Sequence, residues 1–338
     1  MKQISLISLI LLLASCNELT FETEPANNPI ENFESVWSTF NEKYAAFQVR
    51  KVNWDSLYAV YRPLVTVNST DDDLFEVITD LLSHLDDGHV SLMAANRPFW
   101  SGHEVFRELE GNDLFDLATV RSEYLNSGIQ IVSNQYLLGQ IGDDIGYLYI
   151  ASVAGDEPTF IDQFIEEHRD KDGIIIDLRH NNGGDFTNSE FIASRFASAR
   201  RLAFEAQPKA GPSPDEFGDI YQYFIGPEGS SQFTRPTIVI TNGYTISAGE
   251  NLVLYMRTMD HVTVLGDTTA GAMGERIEKE MPNGWIYSIT AQVITAADEN
   301  IYEGPGIPPD IQIRNSRDSL DIGVDNMLDQ AINLIRNQ

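Results

Sequence analysis

The chain has 338 residues, 42% hydrophobic and 22% charged, an ordinary globular composition long enough for one large domain or two smaller ones. Its formal net charge is −29. So acidic a surface repels nucleic acid and anionic membrane and argues against both as partners, leaving basic or neutral substrates, or plain solubility, as its meaning.

The first residues read MKQISLISLILLLASCN. Lys2 precedes an apolar run from Ile4 to Leu13, which is too short for a bilayer needing roughly 20 residues. The pattern fits a secretory signal over residues 1–15. Cys16 is the only cysteine, so it forms no internal disulfide. Placed after Leu13-Ala14-Ser15, it resembles a bacterial lipobox. That implies cleavage before Cys16, lipid on its sulfur, and a protein anchored to a membrane rather than spanning it. Asn17, rather than Asp, after the cysteine points to the outer membrane of a bacterial envelope. The alternative is an ordinary signal peptide with a chance cysteine. Residues 16–31 are polar with two prolines and read as a tether.

Phe33, Val36, Trp37, Phe40 and Tyr44 fall at helical spacing, as do Leu74, Val77, Ile78, Leu81, Leu82 and Leu85. Thr70 before Asp71-Asp72-Asp73 reads as an N-cap with acids in the first turn; the spaced pattern of a calcium loop is absent. Residues 32–90 are therefore expected to be a small helical region ending in LSHLDDGHVSL, with Gly88 in the C′ position that ends a helix. Residues 91–135, with Pro98 and Trp100, read as a connecting segment. From 136 to 338 apolar strands alternate with helices, which argues for an α/β core with largely parallel pairing. The runs IIID and IVIT are apolar throughout, as strands covered on both faces should be. Residues 205–235, rich in proline and glycine, read as a long loop and a candidate lid. WIYSITAQVITA alternates like a late strand, and residues 317–335 read as a terminal helix.

Ser247 sits where TIVIT gives way to a helix, in Thr245-Ile246-Ser247-Ala248-Gly249-Glu250. A serine there is either an N-cap or a nucleophile beside helix-terminal N–H groups suited to an oxyanion. Asp177-Leu178-Arg179-His180-Asn181-Asn182-Gly183-Gly184 ends another apolar strand in a double-glycine turn. It is a plain turn or the other half of an oxyanion hole. The six histidines are 84, 89, 103, 168, 180 and 261. His89 and His180 compete as a base; His261, about 20 Å away along the helix that Ser247 begins, does not. Glu303, in Tyr302-Glu303-Gly304-Pro305-Gly306, is a solvent-facing loop residue or a carboxylate held rigidly to orient a histidine.

Together these segments resemble the C-terminal processing peptidases, above all the tricorn-core branch. The landmarks fall in order: L-x-D-G-H-V at 85–90, D-L-R-x-N-x-G-G at 177–184, S-A-G-E at 247–250, and Y-E-G-x-G-I-x-P-D at 302–310. The resemblance implies a crotonase-like α/β core behind a helical N-terminal region. It implies a serine endopeptidase acting on peptide or protein, without metal or cofactor. Ser247 matches the nucleophile, His89 the general base and Glu303 the acid of a tetrad. Gly183 or Gly184, with Ala248, matches the oxyanion amides. Family members that use a lysine base carry it in T-x-G-K-G; here Thr269-Ala270-Gly271-Ala272-Met273-Gly274 puts Ala272 in its place, and Lys279 lies outside the motif. The tetrad's serine beside the histidine is Gly88 here, so Glu303 reaches His89 directly or through a bridge. Residues 91–135 are too few for the PDZ domain common in the family, and none is expected. The retinoid-binding protein of the photoreceptor matrix is related to this family, so a ligand-binding module on the same fold is the alternative. An esterase with the same residues is a second.

Overall fold

The structure, a computed structural model, describes residues 26–104 and 114–337. The expected signal segment, Cys16 and most of the tether lie outside the described residues.

Helix α1, Pro29–Lys43, begins earlier than its apolar spacing suggests, because Asn28 caps Glu31 N–H and Pro29 supplies a pre-set first turn. Helix α2, Trp54–Tyr61, capped by Asn53, was not anticipated. Helix α3, Asp71–Ser83, starts with a capping box between Thr70 and Asp73. It ends sooner than expected. His84 is its C-cap, so Gly88 belongs to a separate turn, and the positive φ falls on Asp86 (44°) instead.

The strands are β1 (Ser91–Met93), β2 (Trp100–Ser101), β3 (Gln130–Val132), β4 (Tyr136–Ile141), β5 (Ile145–Ile150), β6 (Gly173–Asp177), β7 (Arg201–Pro208), β8 (Tyr221–Ile225), β9 (Thr237–Thr241), β10 (Val262–Gly266), β11 (Arg276–Glu280), β12 (Ile286–Thr290), β13 (Gln292–Ala296) and β14 (Ile311–Gln312). Among them run α4 (Phe160–His168), α5 (Phe186–Ser194), α6 (Ala248–Arg257) and, last, α7 (Asn326–Arg336). The fold is mixed α/β, and among the described residues no PDZ domain stands between helical region and core. Residues 205–235 depart from the expected loop: β7 and β8 lie across them and pair antiparallel.

The main sheet has seven strands in the order β14-β10-β9-β6-β5-β4-β3, parallel from β14 to β5 and antiparallel beyond. Alternate residues of its strands feed two cores. Leu148, Ile176, Val239 and Val264 pack under α4, α5 and α6; Tyr147, Ile175, Ile238 and Leu265 pack under α7. Helices on both faces explain why these strands carry apolar residues on both faces. A second sheet, β11-β12-β1-β2, pairs Ser91 with Ser288. Its Leu92, Tyr287 and Ile289 share one apolar cluster with α1–α3, so the N-terminal helices rest on strands from late in the chain. A third sheet is β13-β7-β8. Among the described residues no helix is long and apolar enough to cross a membrane.

Because β6 and β9 are parallel neighbours, the loops leaving their carboxyl ends lie side by side. That is where open α/β sheets bind ligands.

Candidate active site

Ser247 stands at the corner between β9 and α6 with φ 60° and ψ −126°. An ordinary N-cap lies in the β region; this conformation is costly for any residue with a side chain. Its surroundings impose it. The Ser247 N–H donates to Ala272 O (3.0 Å) and to Glu250 Oε2 (3.2 Å), and its carbonyl accepts from the N–H groups of Glu250 and Asn251. Fully buried Glu250 also accepts from Thr269 Oγ1 (2.6 Å), Gly271 N–H (2.8 Å) and Ala272 N–H (2.9 Å). One carboxylate thus ties the start of α6 to the 269–272 turn. Burial pushes its pKa up, against these donors. Sequence reasoning left Glu250 without a part. The signal was its place three residues after the serine, the capping-box spacing.

The glycine loop presses on this corner. A Cβ on Gly183 (φ 80°) would come within 2.6 Å of Ser247 Cβ and 3.1 Å of its Oγ. Gly183 spends its N–H on Asn181 Oδ1 (2.9 Å), so of the two glycines expected to serve an oxyanion it is the one already engaged, and its part is steric. Gly184 N–H and Ala248 N–H have no hydrogen-bond partner among the described residues. Buried Asn181 also donates to Ile150 O (2.9 Å) and accepts from Ile246 N–H (3.0 Å), locking the loop to β5 and to the serine corner.

His89 and Ser247 line one cavity of about 620 Å³, together with Gly184, Ala248 and Gly274. None of the other histidines lines it. The competitor His180 packs instead against the rings of Tyr244 (4.6 Å) and Phe115 (5.3 Å). The cavity wall includes Phe204 and Tyr223 of the β7–β8 hairpin, stacked at 4.8 Å, so residues 205–235 reach the cavity through Tyr223, as part of a paired hairpin. His89 is only 4% exposed. Burial lowers its pKa to about 4, aided by the charges of Arg276 and Arg50 and opposed by Asp87. The imidazole is therefore neutral at pH 7, the form a general base requires.

Glu303 is fully buried, but its carboxylate is engaged elsewhere. Oε2 accepts from Met273 N–H (3.1 Å) and Gly274 N–H (2.9 Å), and Oε1 from Arg50 Nη2 (3.4 Å). His89 Nδ1 is buried with no hydrogen-bond partner among the described residues, so the direct Glu303–His89 contact is not made. Two amides and a guanidinium compete for the carboxylate and win. The carboxylate nearest His89 in sequence, Asp87, holds the histidine by its backbone instead. Its Oδ1 accepts His89 N–H (2.8 Å), and its Oδ2 accepts Tyr44 Oη (2.8 Å) and Thr290 Oγ1 (2.8 Å). Ala272, at the lysine position, is buried beside Ser247, and Lys279 is exposed on β11.

The arrangement around one cavity of a strained serine, a neutral buried imidazole and two amides without a partner among the described residues suits attack on a carbonyl. The comparisons agree. The model of peptidase family S41 matches residues 144–313, half of the chain, and the model of the tricorn protease C1 domain matches residues 25–83. The carboxy-terminal processing protease CtpA of Bacillus subtilis is 24% identical over 172 residues, 50% of this chain and 35% of that one. The nisin-resistance protein of Lactococcus lactis is 26% identical over 176 residues, 50% of this chain and 54% of that one. The chain thus spans about half or less of the length of these curated relatives. The crystal structure of a candidate peptidase from Parabacteroides merdae superposes with a TM-score of 0.83 at 28% identity, covering 92% of this chain and 97% of that one.

Proposed function

The chain belongs to peptidase family S41, and from that premise we propose that it is a serine endopeptidase with Ser247 as nucleophile and His89 as general base. The observation that carries this reading is the lining of one cavity by Ser247, His89, and the Gly184 and Ala248 residues whose N–H groups have no partner among the described residues. His89 takes the proton from Ser247 Oγ as that oxygen attacks a peptide carbonyl. The oxyanion accepts hydrogen bonds from Gly184 and Ala248 N–H. The imidazolium then protonates the leaving amine, and water, deprotonated by the same imidazole, releases the acyl group. Glu303 supports the base at one remove, by fixing the Met273–Gly274 backbone beside it. The lipobox-like Cys16 further supports a lipid-anchored protein of the bacterial envelope, with peptide or protein as substrate.

Ser247→Ala is the test. Removing such a nucleophile costs on the order of 10⁶-fold in rate and should abolish labelling by a fluorophosphonate. Cleavage by the purified Ser247→Ala protein at the wild-type rate would falsify the assignment. A wild-type protein that neither labels nor cleaves peptides would instead support the ligand-binding reading. Cleavage of esters but not amides would support the esterase.

A further inference from the structure

Arg50 lies in the turn that follows α1, distant in sequence from every residue placed in the site, yet its guanidinium reaches three of the segments that build it. Nη1 donates to the carbonyls of Leu85 (3.3 Å) and Asp86, in the loop that leads to His89. Nη2 donates to Gly271 O (2.6 Å), in the turn that Glu250 ties to Ser247, and to Glu303 Oε1 (3.4 Å). Nε stands 3.5 Å from Asp87 Oδ2. The Arg50 side chain is 6% exposed, and both carboxylates are fully buried. The surface analogue of such a contact would be worth little. Here a planar fork with fixed donor directions meets three backbone carbonyls on two segments and two buried carboxyl groups.

We propose that Arg50 is a positioning residue for the peptidase reaction. By gripping the 85–87 loop, the Gly271 turn and Glu303 at once, it sets where His89 stands relative to Ser247. The N-terminal helical region thereby completes the active site of the core. This inference rests on the serine-peptidase reading.

Its charge also acts on the base. The groups that bear on His89 are Asp87 from its own loop, Arg276 from β11, Arg50, and the Gly274 backbone. The two arginines disfavour the imidazolium and Asp87 favours it. Deleting Arg50's charge leaves Asp87 unopposed on that side, so the histidine should protonate more readily.

The test is a pH series of kcat and KM on a peptide substrate for Arg50→Met and Arg50→Lys, with Ser247→Ala in parallel. For Arg50→Met, kcat should fall about 10²-fold, the usual cost of roughly 1 Å of misplacement. KM should stay within about threefold, and the acid limb of kcat/KM should move up by about one pH unit. Arg50→Lys keeps the charge but loses the fork, so its limb should stay near the wild-type value while kcat still falls about tenfold. A variant with a lowered melting temperature but wild-type kcat and an unmoved limb would show a purely structural arginine and overturn the proposal. If Arg50→Met does not fold, Arg50→Lys decides: wild-type kcat in it overturns the proposal, and a fall without a change in melting supports it. Activity surviving in Ser247→Ala would strike down the peptidase reading itself, a different result from an inert Arg50.

Discussion

Gly183→Ala adds one methyl group next to the proposed nucleophile, and the structure fixes what that methyl meets. It would come 2.6 Å from Ser247 Cβ and 3.1 Å from Ser247 Oγ. Carbon atoms pack best at about 3.5–4.0 Å, so one of the two must retreat by about 1 Å. Ser247 is not the free end of a flexible chain. Its N–H is held by Ala272 O and Glu250 Oε2. A shift of that size at a reacting atom costs on the order of 10²-fold in rate. A second cost must be separated from the first: Gly183 has φ 80°, where alanine pays about 1–2 kcal/mol. Gly155 supplies the control, because its φ is 85° and a Cβ there would meet nothing within 4 Å. Both alanine variants should lose similar stability to the backbone term in urea titrations, with Gly183→Ala losing more through the clash. Only Gly183→Ala should also label about 10²-fold more slowly with a fluorophosphonate. Equal labelling rates in the two variants would refute the claim that Gly183 is glycine for the sake of Ser247.

The base should show itself in the pH profile. With its pKa lowered to about 4, His89 stays neutral far below the ordinary histidine range, so kcat/KM should fall only as pH drops through about 4. An acid limb near 6.5 would count against a desolvated His89 as the base. Glu303 acts on stability in the opposite sense. Burial, with Asp87 nearby, raises its pKa from 4.5 to about 8, so the native state binds a proton that the unfolded state has released. Its contribution is fully present below about pH 4.5 and is lost as pH rises through 8. Glu303→Gln should flatten that slope in urea titrations between pH 5 and 8.5. Glu250→Gln turns one oxygen that accepts hydrogen bonds into a donor facing N–H or O–H groups. It should cost roughly 2–4 kcal/mol and slow Ser247 labelling, and a neutral effect on both would mean the carboxylate does not hold the corner.

The parts of this architecture that could be read from sequence are those whose cause is local. The runs GIIID and TIVIT carry consecutive apolar residues, Ile174 to Ile176 and Ile238 to Ile240, because α4–α6 cover one face of the sheet and α7 the other. Helix α3 declares itself through Thr70 and the acids of its first turn, with Asp73 three residues on closing a capping box. Ser247 and the Gly183-Gly184 turn are visible because each ends such a strand. Strand β11 was not visible, since RIEKE is charged, largely exposed and at a sheet edge. Nor was β1, three residues long and paired with residues 286–288. The hairpin of β7 and β8 was hidden by the prolines and glycines around it. The site divides along the same line. Side chains meant to face a substrate sit in short motifs. Asn181 and Glu250 lie inside such motifs but work largely through the backbone atoms of other segments; Arg50 does the same from outside any motif, and no local pattern announces it.

The two readings of Ser247, helix cap and nucleophile, predict different backbones. A serine kept only for capping would sit in the β region, where its hydroxyl reaches the N2 or N3 amide without strain. The observed φ of 60° costs on the order of 1–3 kcal/mol, and a fully buried glutamate with four donors is committed to maintaining it. A cap needs only the bond from Ser247 N–H to Glu250; the bonds from Thr269, Gly271 and Ala272 go beyond it. They make sense if the corner must hold the hydroxyl against Gly183 and on the wall of the cavity that His89 also lines. The same corner starts α6 and presents Ala248 N–H, which has no partner among the described residues, so the strained backbone that begins the helix places Ser247 beside a donor that a developing oxyanion needs.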